Sequence, residues 1–209
     1  MKTEVVIVGG GPSGLLLSQL LNRAGVDTVI LERTSRARVL ERIRAGVLED
    51  GTVQLLREAG VGHRMDREGI PHEGCYLTDD DLMVRINFHE LTGKKVMVYG
   101  QTEVTADLYE AQDAMGTQII HNVEDVVLND VTTDAPYVEY TADGARKRID
   151  CRYVAGCDGF HGVSRQTIPA DKRDEFERVY PFGWLGVLSR TPPANHELIY
   201  ANSRHGFAL

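Results

Sequence analysis

Three glycines and one acidic residue near the N-terminus have the spacing of a dinucleotide-binding site. Gly9-Gly10-Gly11-Pro12-Ser13-Gly14 fits the pattern G-x-G-x-x-G, and Glu32 follows about 20 positions later. Glycines in this pattern let the backbone turn sharply, approach a pyrophosphate and pack a helix against a strand. The helix start offers N–H groups and a positive dipole end to phosphates, and the acid accepts hydrogen bonds from ribose hydroxyls. The predicted contacts are Gly9, Gly11, Ser13, Gly14 and Glu32; a glycine-rich turn with a purely structural role is the alternative.

The surrounding sequence supplies the strand–helix–strand unit that such a site requires. Thr3 to Val8 and Asp27 to Leu31 are short apolar runs, typical of strands buried on both faces. Leu15 to Arg23 has the wide apolar face of a packed helix. A further apolar run, Tyr153 to Cys157, ends in Asp158-Gly159. An aspartate there either delivers a carboxylate to a ligand at the sheet edge or only forms an Asx turn, and the residues leave both open.

A strongly basic segment begins where the second strand ends. Residues 33–44 contain five arginines, at positions 33, 36, 38, 42 and 44, and one glutamate. Guanidinium groups bind phosphate oxygens well, and the segment starts where the cofactor ribose must lie. We therefore predict that part of it binds an anion and that the other arginines are solvated. A wholly solvated helix face is the alternative.

The composition is that of an ordinary globular protein and excludes several classes of partner. The 209 residues are 42% hydrophobic and 26% charged, and the net charge of −8 argues against nucleic acid or an anionic membrane. No apolar run is long enough to cross a membrane and no signal peptide is visible, so we expect a cytoplasmic protein. Cys75, Cys151 and Cys157 lack metal-binding or redox spacing and are expected to be buried, reduced thiols.

The remaining chain predicts a mixture of helices and strands. Helices are expected over 47–59 and 101–115, and residues 136–141 and 145–151 should pair as a hairpin. Further strands are expected at 72–77, 82–88, 95–99, 117–122, 126–128, 175–180, 183–189 and 196–201. The three aspartates at 79–81 indicate a solvated turn rather than a calcium loop, so no metal site is expected. Because Phe207-Ala208-Leu209 stops in a strand without a turn, we expect the natural chain to continue beyond Leu209.

Several segments together resemble the flavoprotein aromatic hydroxylases. They are the glycine motif with Glu32-Arg33, Arg42 to Val47, Tyr99-Gly100-Gln101, Cys157 to Gly162, Tyr180 to Trp184 and Glu197 to Asn202. The glycine motif is shared by many flavoproteins, whereas the later segments are much more specific. The chain stops before the family's third flavin motif and before other residues of the substrate pocket. By this resemblance it contains half of such an enzyme.

The resemblance implies an α/β fold in which a Rossmann-like FAD-binding domain combines a parallel sheet with a β-meander. That domain would contain residues 1–71 and 97–175. Residues 72–96 and 176–209 would be strands of an incomplete, β-rich substrate domain. A homodimer is implied for the full-length protein.

FAD is the implied dinucleotide, and NADPH is the implied cosubstrate, with NADH possible. The residues assigned to FAD are Gly9, Gly11, Ser13, Gly14, Glu32, Arg44, Ala45, Gly46, Val47 and Gln101. Arg44 would bind the pyrophosphate, Gln101 would lie near the ribityl chain and ring, and residues 45–47 would border the isoalloxazine. Asp158 and Gly159 would serve both cofactors. The phosphates of NADPH would be held by His161 and by the segment containing Arg33, Arg38 and Arg42.

The implied reaction is hydroxylation of a small aromatic acid, 4-hydroxybenzoate, to 3,4-dihydroxybenzoate with O₂, through a flavin C4a-hydroperoxide. Attack next to the phenol is faster on a phenolate, so the site must remove a proton of pKa about 10. The family implies that Tyr200 accepts the phenol's hydrogen bond and that His72 is the outer end of a proton relay. From the residues alone, Tyr200 is as well explained by packing in a strand, and His72 by exposure after Pro71. The 209-residue piece by itself is expected to be inactive.

Two other functions are compatible with the sequence. A nicotinamide dehydrogenase would use the glycine motif and Glu32, but it would not need Arg44-Ala45-Gly46 or Asp158-Gly159. A non-catalytic FAD-binding fragment is the other alternative. The choice between NADPH and NADH is expected to depend on residues 33–38, where Arg38 departs from the Tyr that is frequent in the family. We predict a modest preference for NADPH.

Overall fold

The computed structural model describes residues 1–187 and 189–209, and the chain divides into two compact units. The first unit contains Met1–Ile70 and Val98–Ile168, and the second contains Pro71–Met97 and Pro169–Leu209. Each unit is therefore built from two separate stretches of the chain. Which ligand each unit binds remains a prediction.

Helices and strands are interspersed along the first part of the chain, and strands dominate the later part. In order they are β1 (Val5–Val8), α1 (Pro12–Arg23), β2 (Thr28–Leu31), α2 (Arg36–Leu40), β3 (Val47–Leu48), α3 (Asp50–Glu58), α4 (His63–Glu68), β4 (Ile70–His72), β5 (Gly74–Asp79), β6 (Leu82–Asn87), α5 (Phe88–Thr92), β7 (Val96–Val98) and α6 (Gln101–Met115). They continue with β8 (Gln118–Ile120), β9 (Glu124–Asn129), β10 (Tyr137–Ala142), β11 (Ala145–Asp150), β12 (Tyr153–Gly156), α7 (Val163–Thr167), a 3₁₀ turn (Ala170–Lys172), β13 (Leu198–Ser203) and β14 (Gly206–Ala208).

A four-stranded parallel sheet in the order β12-β1-β2-β8 organises the first unit. Val8 at the end of β1 pairs with Gly156 on one side and Leu31 on the other, so three strands end at one edge. The strands predicted from the apolar runs at 3–8, 27–31 and 153–157 are confirmed. Every residue of β1 and β2 is buried, as expected for strands covered on both faces.

The antiparallel sheet β11-β10-β9 contributes to the same core. Val138, Tyr140 and Ala142 alternate along one face of β10 and belong to one buried cluster with Val6 and Val8. The hairpin between β10 and β11 is confirmed, with a tight turn at 143–144 where both residues have positive φ, of 54° and 72°. This is the conformation that a type I′ turn requires and that Asp-Gly favours.

The second unit contains the sheet β14-β13-β5-β6. β5 and β6 form a hairpin in which Asp79 pairs with Leu82, and exposed Asp80 adopts a φ of 45° in the turn. The solvated turn predicted for the three aspartates is therefore confirmed. Arg85 on β6 holds Glu197, just before β13, through two hydrogen bonds of 2.7 and 2.8 Å. This bidentate ion pair links the two stretches of chain that form the second unit.

Two sequence predictions are wrong, and a third is wrong at its start. Residues 175–180 and the described part of 183–189 are not strands, and Leu188 lies outside the described residues. Phe176 and Val179 are 90% and 84% exposed, and β propensity without a neighbouring strand does not form a ladder. The helix predicted from Val47 begins at Asp50, because residues 47–48 form β3. The other predicted elements are confirmed, with ends shifted by one or two residues in most cases.

Candidate dinucleotide-binding site

The glycine turn between β1 and α1 has the shape that a pyrophosphate requires. Gly9 has a φ of 110°, and a Cβ atom there would collide with the carbonyl group of Cys157. A Cβ on Gly14 would collide with the carbonyl oxygen of Gly9, so the turn and α1 pack this closely only with glycine. Gly11 faces open space, since a Cβ at that position would have nothing within 4 Å. The first turn of α1 has no acidic residue and no side-chain cap, so its N–H groups can bind an anion.

Glu32 ties the glycine turn to the end of β2. Its side chain is buried, and Oε2 accepts a hydrogen bond from the Gly10 N–H at 2.8 Å. Oε1 accepts hydrogen bonds from the Thr34 N–H and hydroxyl at 2.9 and 2.8 Å. A carboxylate has about four acceptor sites, so a ribose hydroxyl must use the remaining site or replace one of these donors. The sequence predicted the contact with ribose but not these bonds within the protein.

A cleft of about 510 Å³ opens at the carboxyl edge of the parallel sheet. Its lining includes the ends of β1, β2 and β12, which the parallel pairing brings side by side. The predicted site residues that line it are Gly9, Gly11, Glu32, Arg33, Arg42, Asp158, Gly159 and His161. The volume lies in the range of small-molecule and cofactor sites.

Asp158 lines the cleft and also caps helix α7. Its Oδ2 accepts a hydrogen bond from the Ser164 N–H at 2.9 Å. A Cβ on Gly162 would collide with the Asp158 carboxyl group, and Gly159 has a φ of 76°, so both glycines are needed in this bend. This bond reaches six positions along the chain, so it is not the Asx turn, whose bond reaches two positions. It uses one carboxylate oxygen and fixes the orientation of the group at the cleft.

The arginine segment divides into residues that reach the cleft and residues that pair elsewhere. Arg33 and Arg42 line the cleft. Arg36 Nη1 lies 2.6 Å from Asp113 Oδ2, and Arg38 Nη1 lies 3.4 Å from Glu41 Oε2. The Arg38 side chain is 68% exposed. Binding of a phosphate by Arg33 and Arg42 is favoured by these positions, whereas Arg38 lies where solvent screens its charge.

The segment from Arg44 to Val47 lies beside the start of α6. The Gly46 carbonyl accepts a hydrogen bond from the Tyr99 N–H at 2.7 Å, and a Cβ on Gly46 would come within 2.6 Å of the Gly100 Cα atom. Gln101 is the first residue of α6, so the structure brings these predicted flavin contacts together. The predicted site residues outside the described lining of the cleft are Ser13, Gly14, Arg38, Arg44, Ala45, Gly46, Val47 and Gln101.

A model of a known protein family, the FAD binding domain, matches residues 2–209. The chain belongs to this FAD-binding family. The open space at Gly11, the uncapped start of α1 and the buried Glu32 carboxylate fit the pyrophosphate and adenosine of FAD. FAD is therefore the cofactor of this protein.

Two curated relatives of the FAD-binding chain are hydroxylases. The chain is 48% identical over its whole length to p-hydroxybenzoate hydroxylase of Acinetobacter baylyi, and it covers 52% of that protein. The resemblance to the flavoprotein aromatic hydroxylases is thereby confirmed. The chain is 25% identical over 96% of its length to 3-(3-hydroxy-phenyl)propionate/3-hydroxycinnamic acid hydroxylase 1 of Burkholderia vietnamiensis, of which it covers 32%. The chain thus spans about half, or less, of the length of these curated relatives.

Solved structures share the fold of the FAD-binding chain. PqsL of Pseudomonas aeruginosa in complex with 2-aminobenzoylacetate gives a TM-score of 0.72 at 21% identity, over 87% of this chain and 49% of that one. The p-nitrophenol 4-monooxygenase of Pseudomonas putida gives a TM-score of 0.69 at 24% identity, over 80% of this chain and 44% of that one. The α/β fold predicted from the sequence is confirmed.

The two predicted catalytic residues, His72 and Tyr200, lie in the second unit. His72 ends β4 and is buried, and its Nδ1 has no hydrogen-bond partner among the described residues. Tyr200 lies in β13, is 38% exposed and has its ring centroid 6.4 Å from that of Phe207. The alternative in which His72 is simply exposed is therefore wrong. Neither residue belongs to the described lining of the cleft at the sheet edge.

The sequence did not predict part of the wall of this cleft at the sheet edge. The additional lining residues include Val123, Glu124, Asp125, Val126, Cys157 and Val163. The Val123 N–H donates to the Glu32 carbonyl at 3.1 Å, which holds this bend beside the predicted ribose contact. Asn122 and Asp125 have φ values of 56° and 49°. These two residue types tolerate the left-handed region, so they were the available signal for a bend.

Three further features of the described part of the FAD-binding chain concern metal ligands, membrane-spanning helices and thiols. Across residues 1–187 and 189–209, no group of His, Cys, Asp and Glu is arranged to hold a metal ion. None of the helices described in those ranges is long and apolar enough to cross a membrane. Cys75, Cys151 and Cys157 are free thiols, and burial raises the pKa of each, which favours the neutral, unreactive form.

Proposed function

We propose that the whole protein is an FAD-dependent aromatic monooxygenase that hydroxylates 4-hydroxybenzoate to 3,4-dihydroxybenzoate. NADPH is the proposed reductant, with NADH as a poorer substitute, and O₂ supplies the transferred oxygen. The observation that carries the proposal is the 48% identity, along the full chain, to p-hydroxybenzoate hydroxylase of Acinetobacter baylyi. The chain covers 52% of that relative, so the activity is proposed for the whole protein.

In this proposal the first unit is the FAD-binding domain. The glycine turn and the start of α1, where Ser13 is exposed, bind the pyrophosphate together with Arg44, and Glu32 orients the adenosine ribose. Ala45, Gly46 and Val47 border the flavin ring by their backbone, and Gln101 lies beside the ribityl chain. When bound, FAD accepts a hydride from the nicotinamide cofactor and activates O₂.

The proposed site for the phosphates of NADPH lies on the basic side of the cleft. Arg33, Arg42 and His161 line the cleft within one unit, and Asp158 and Gly159 line it with them. The guanidinium groups of Arg33 and Arg42 offer charge-assisted hydrogen bonds to phosphate oxygens. The Asp158 carboxylate, oriented by its hydrogen bond from the Ser164 N–H, presents an acceptor in a fixed orientation. These contacts bind and orient the reductant.

The second unit is proposed to hold the aromatic acid. Tyr200 accepts the hydrogen bond of the substrate phenol and takes its proton as the Tyr200 hydroxyl proton passes to the relay. Tyr200 then donates a hydrogen bond to the phenolate, which is the more reactive form toward an electrophilic oxygen. His72 carries the released proton outward. Burial of the His72 ring, with Nδ1 unpaired among the described residues, supports a role in a hydrogen-bonded relay, because an unpaired buried ring nitrogen is unfavourable.

The decisive experiment combines a spectrum with a turnover assay. The purified chain should bind FAD and show the absorbance of an oxidised flavoprotein, which a nicotinamide dehydrogenase would not. In the protein as its natural source produces it, 4-hydroxybenzoate should perturb that spectrum and stimulate oxidation of NADPH, with one 3,4-dihydroxybenzoate formed per NADPH. Benzoate, which lacks the phenol, is the matched control and should give no hydroxylated product. Flavin binding without any 4-hydroxybenzoate-dependent product would reject the proposed reaction and leave the FAD assignment intact.

A further inference from the structure

Tyr109 and His121 contact the two residues that hold the Glu32 carboxylate. Tyr109 on α6 is fully buried, and its hydroxyl donates a hydrogen bond to the Gly10 carbonyl oxygen at 3.3 Å. His121 Nδ1 lies 2.9 Å from the Thr34 carbonyl oxygen. A carbonyl oxygen only accepts, so this ring nitrogen must carry the hydrogen. Gly10 and Thr34 are the residues whose N–H groups bind the two oxygens of Glu32.

The Tyr109 and His121 rings stack on each other, and Arg36 lies over the Tyr109 ring. The Tyr109 and His121 ring centroids are 5.8 Å apart with an interplanar angle of 30°. The Arg36 guanidinium lies 4.6 Å from the Tyr109 centroid on a cation–π contact and is held by Asp113 at 2.6 Å. Burial, and then the charge of Glu32, raises the pKa of Tyr109 to about 12, so its hydroxyl keeps its proton at neutral pH. The Tyr109 hydroxyl and the His121 Nδ1–H are thus both donors to backbone carbonyls of this bend.

The Gly10 carbonyl has a second consequence for the cleft. It shares one planar peptide unit with the Gly11 N–H, and in a trans peptide the two groups point in opposite directions. A hydrogen bond from Tyr109 to that carbonyl therefore fixes the direction of the Gly11 N–H. Gly11 lines the cleft and faces open space. Tyr109 thereby acts on a donor to the pyrophosphate as well as on the residue that binds Glu32.

We infer that Tyr109 and His121 are positioning residues for the ADP half of FAD, acting through the peptide groups of Gly10 and Thr34. Neither residue lies in the described lining of the cleft. The inference rests on the proposed contact of Glu32 with the adenosine ribose. His121 acts on Glu32 through Thr34, and Tyr109 acts on both Glu32 and the Gly11 N–H.

The test is the FAD dissociation constant of the apoprotein, followed by quenching of flavin fluorescence. Tyr109→Phe keeps the ring and removes the hydroxyl, and His121→Leu removes the ring donor. Each should weaken FAD binding by about 3–10-fold, the effect of one lost hydrogen bond. His121→Asn places an amide donor near the Nδ1 position and should restore most of the affinity. Tyr140→Phe is the matched control, because Tyr140 is a buried tyrosine of the core cluster and should leave FAD affinity unchanged.

A double-mutant cycle separates positioning from general loss of stability. In a Glu32→Ala background, His121→Leu should change FAD affinity by less than about 2-fold, because the carboxylate through which it acts is gone. Equal losses in both backgrounds would overturn the inference for His121. Unchanged affinity in Tyr109→Phe would overturn it for Tyr109. If the wild-type chain binds no FAD, the proposed cofactor site fails and this inference fails with it, whereas wild-type binding with unaffected variants defeats only the inference.

Discussion

Glu32 has a proposed role in binding FAD and an observed role in holding the glycine turn, so a substitution at this residue affects both. It is the proposed acceptor for the adenosine ribose, and it bonds to the Gly10 N–H and to Thr34. Removing the carboxylate takes this partner from the buried Gly10 N–H and from the two part-buried donors of Thr34. Loss of FAD affinity and loss of stability of the apoprotein are therefore expected together.

At the residue scale, Glu32→Ala is expected to weaken FAD binding by about 1.5–3 kcal/mol, the range of hydrogen bonds to charged groups. Fluorescence titration of the apoprotein measures this change. Glu110→Ala is the matched control, since Glu110 is exposed on α6. Wild-type FAD affinity in Glu32→Ala would remove Glu32 from the site.

Tyr200→Phe tests the proposed role of the Tyr200 hydroxyl. The change keeps the ring that lies 6.4 Å from the Phe207 ring and removes only the hydrogen-bond partner of the phenol. Reduction of the flavin should continue, whereas the yield of hydroxylated product per NADPH should fall and hydrogen peroxide should rise. Tyr76→Phe on β5 is a suitable control. An unchanged yield per NADPH would show that Tyr200 serves only in packing.

Arg38→Glu tests the choice between NADPH and NADH. A contact between Arg38 and the 2′-phosphate would give NADPH an advantage of about 10–100-fold. The Arg38 side chain is 68% exposed and lies near Glu41. Screening by solvent therefore places the expected preference for NADPH near the lower end of this 10–100-fold range, and the preference should shrink as the salt concentration rises. Arg38→Glu should weaken NADPH binding more than NADH binding. Equal losses for both cofactors would assign the phosphate to other cations, and Arg42→Gln would then be the next variant.

At the element scale, the start of α1 depends on glycine for a steric reason. Gly14→Ala should destabilise the protein and weaken FAD binding, because its Cβ would collide with the Gly9 carbonyl at the turn. Gly51→Ala in α3 is the matched control, since a Cβ there meets nothing within 4 Å and the φ is not positive. That control should stabilise the protein by about 0.4–1 kcal/mol. Urea unfolding of both variants measures the difference, and equal effects would contradict the steric account.

At the scale of the whole molecule, we expect three ion pairs to make the free energy of unfolding sensitive to acid. Hydrogen bonds from Arg57, Lys95 and Arg85 lower the pKa of Asp66, Glu73 and Glu197, respectively. Their stabilisation is fully present above the unfolded pKa values of about 4 and is lost as pH falls through the lower folded values. The free energy of unfolding should therefore be nearly constant around pH 6–7 and decrease steadily below about pH 4.

The Arg85–Glu197 pair provides the variant for this pH prediction. Arg85→Met should lower stability at neutral pH and should also flatten the decrease in acid, because the pKa of Glu197 is then no longer lowered by its partner. Arg152→Met is the control, since its pair with Glu4 is long, at 3.6 Å, and largely exposed. Urea unfolding at several pH values measures both. An unchanged slope in Arg85→Met would show that this pair does not contribute to acid sensitivity.

The sequence alone determined the parts of this protein that depend on local pattern. The buried strands β1, β2 and β12, the existence of α1 and the hairpin at 143–144 follow from apolar runs, glycine positions and turn residues that act over a few positions. The start of α1, at Pro12, lies three residues before the predicted start. The same local rules placed Gly9, Gly11, Glu32 and Asp158 at strand ends. Parallel strands that end at one edge then bring such residues together.

Only the tertiary structure decided which neighbours each side chain has. Residues 175–180 have β propensity but pair with no described strand, and His72 is buried although it follows Pro71 in the sequence. Likewise, α6 brought Tyr109 to the Gly10 carbonyl, a contact across 99 positions in the chain. Contacts between residues so distant in sequence have no periodic or spacing signal, because they arise from the packing of complete elements.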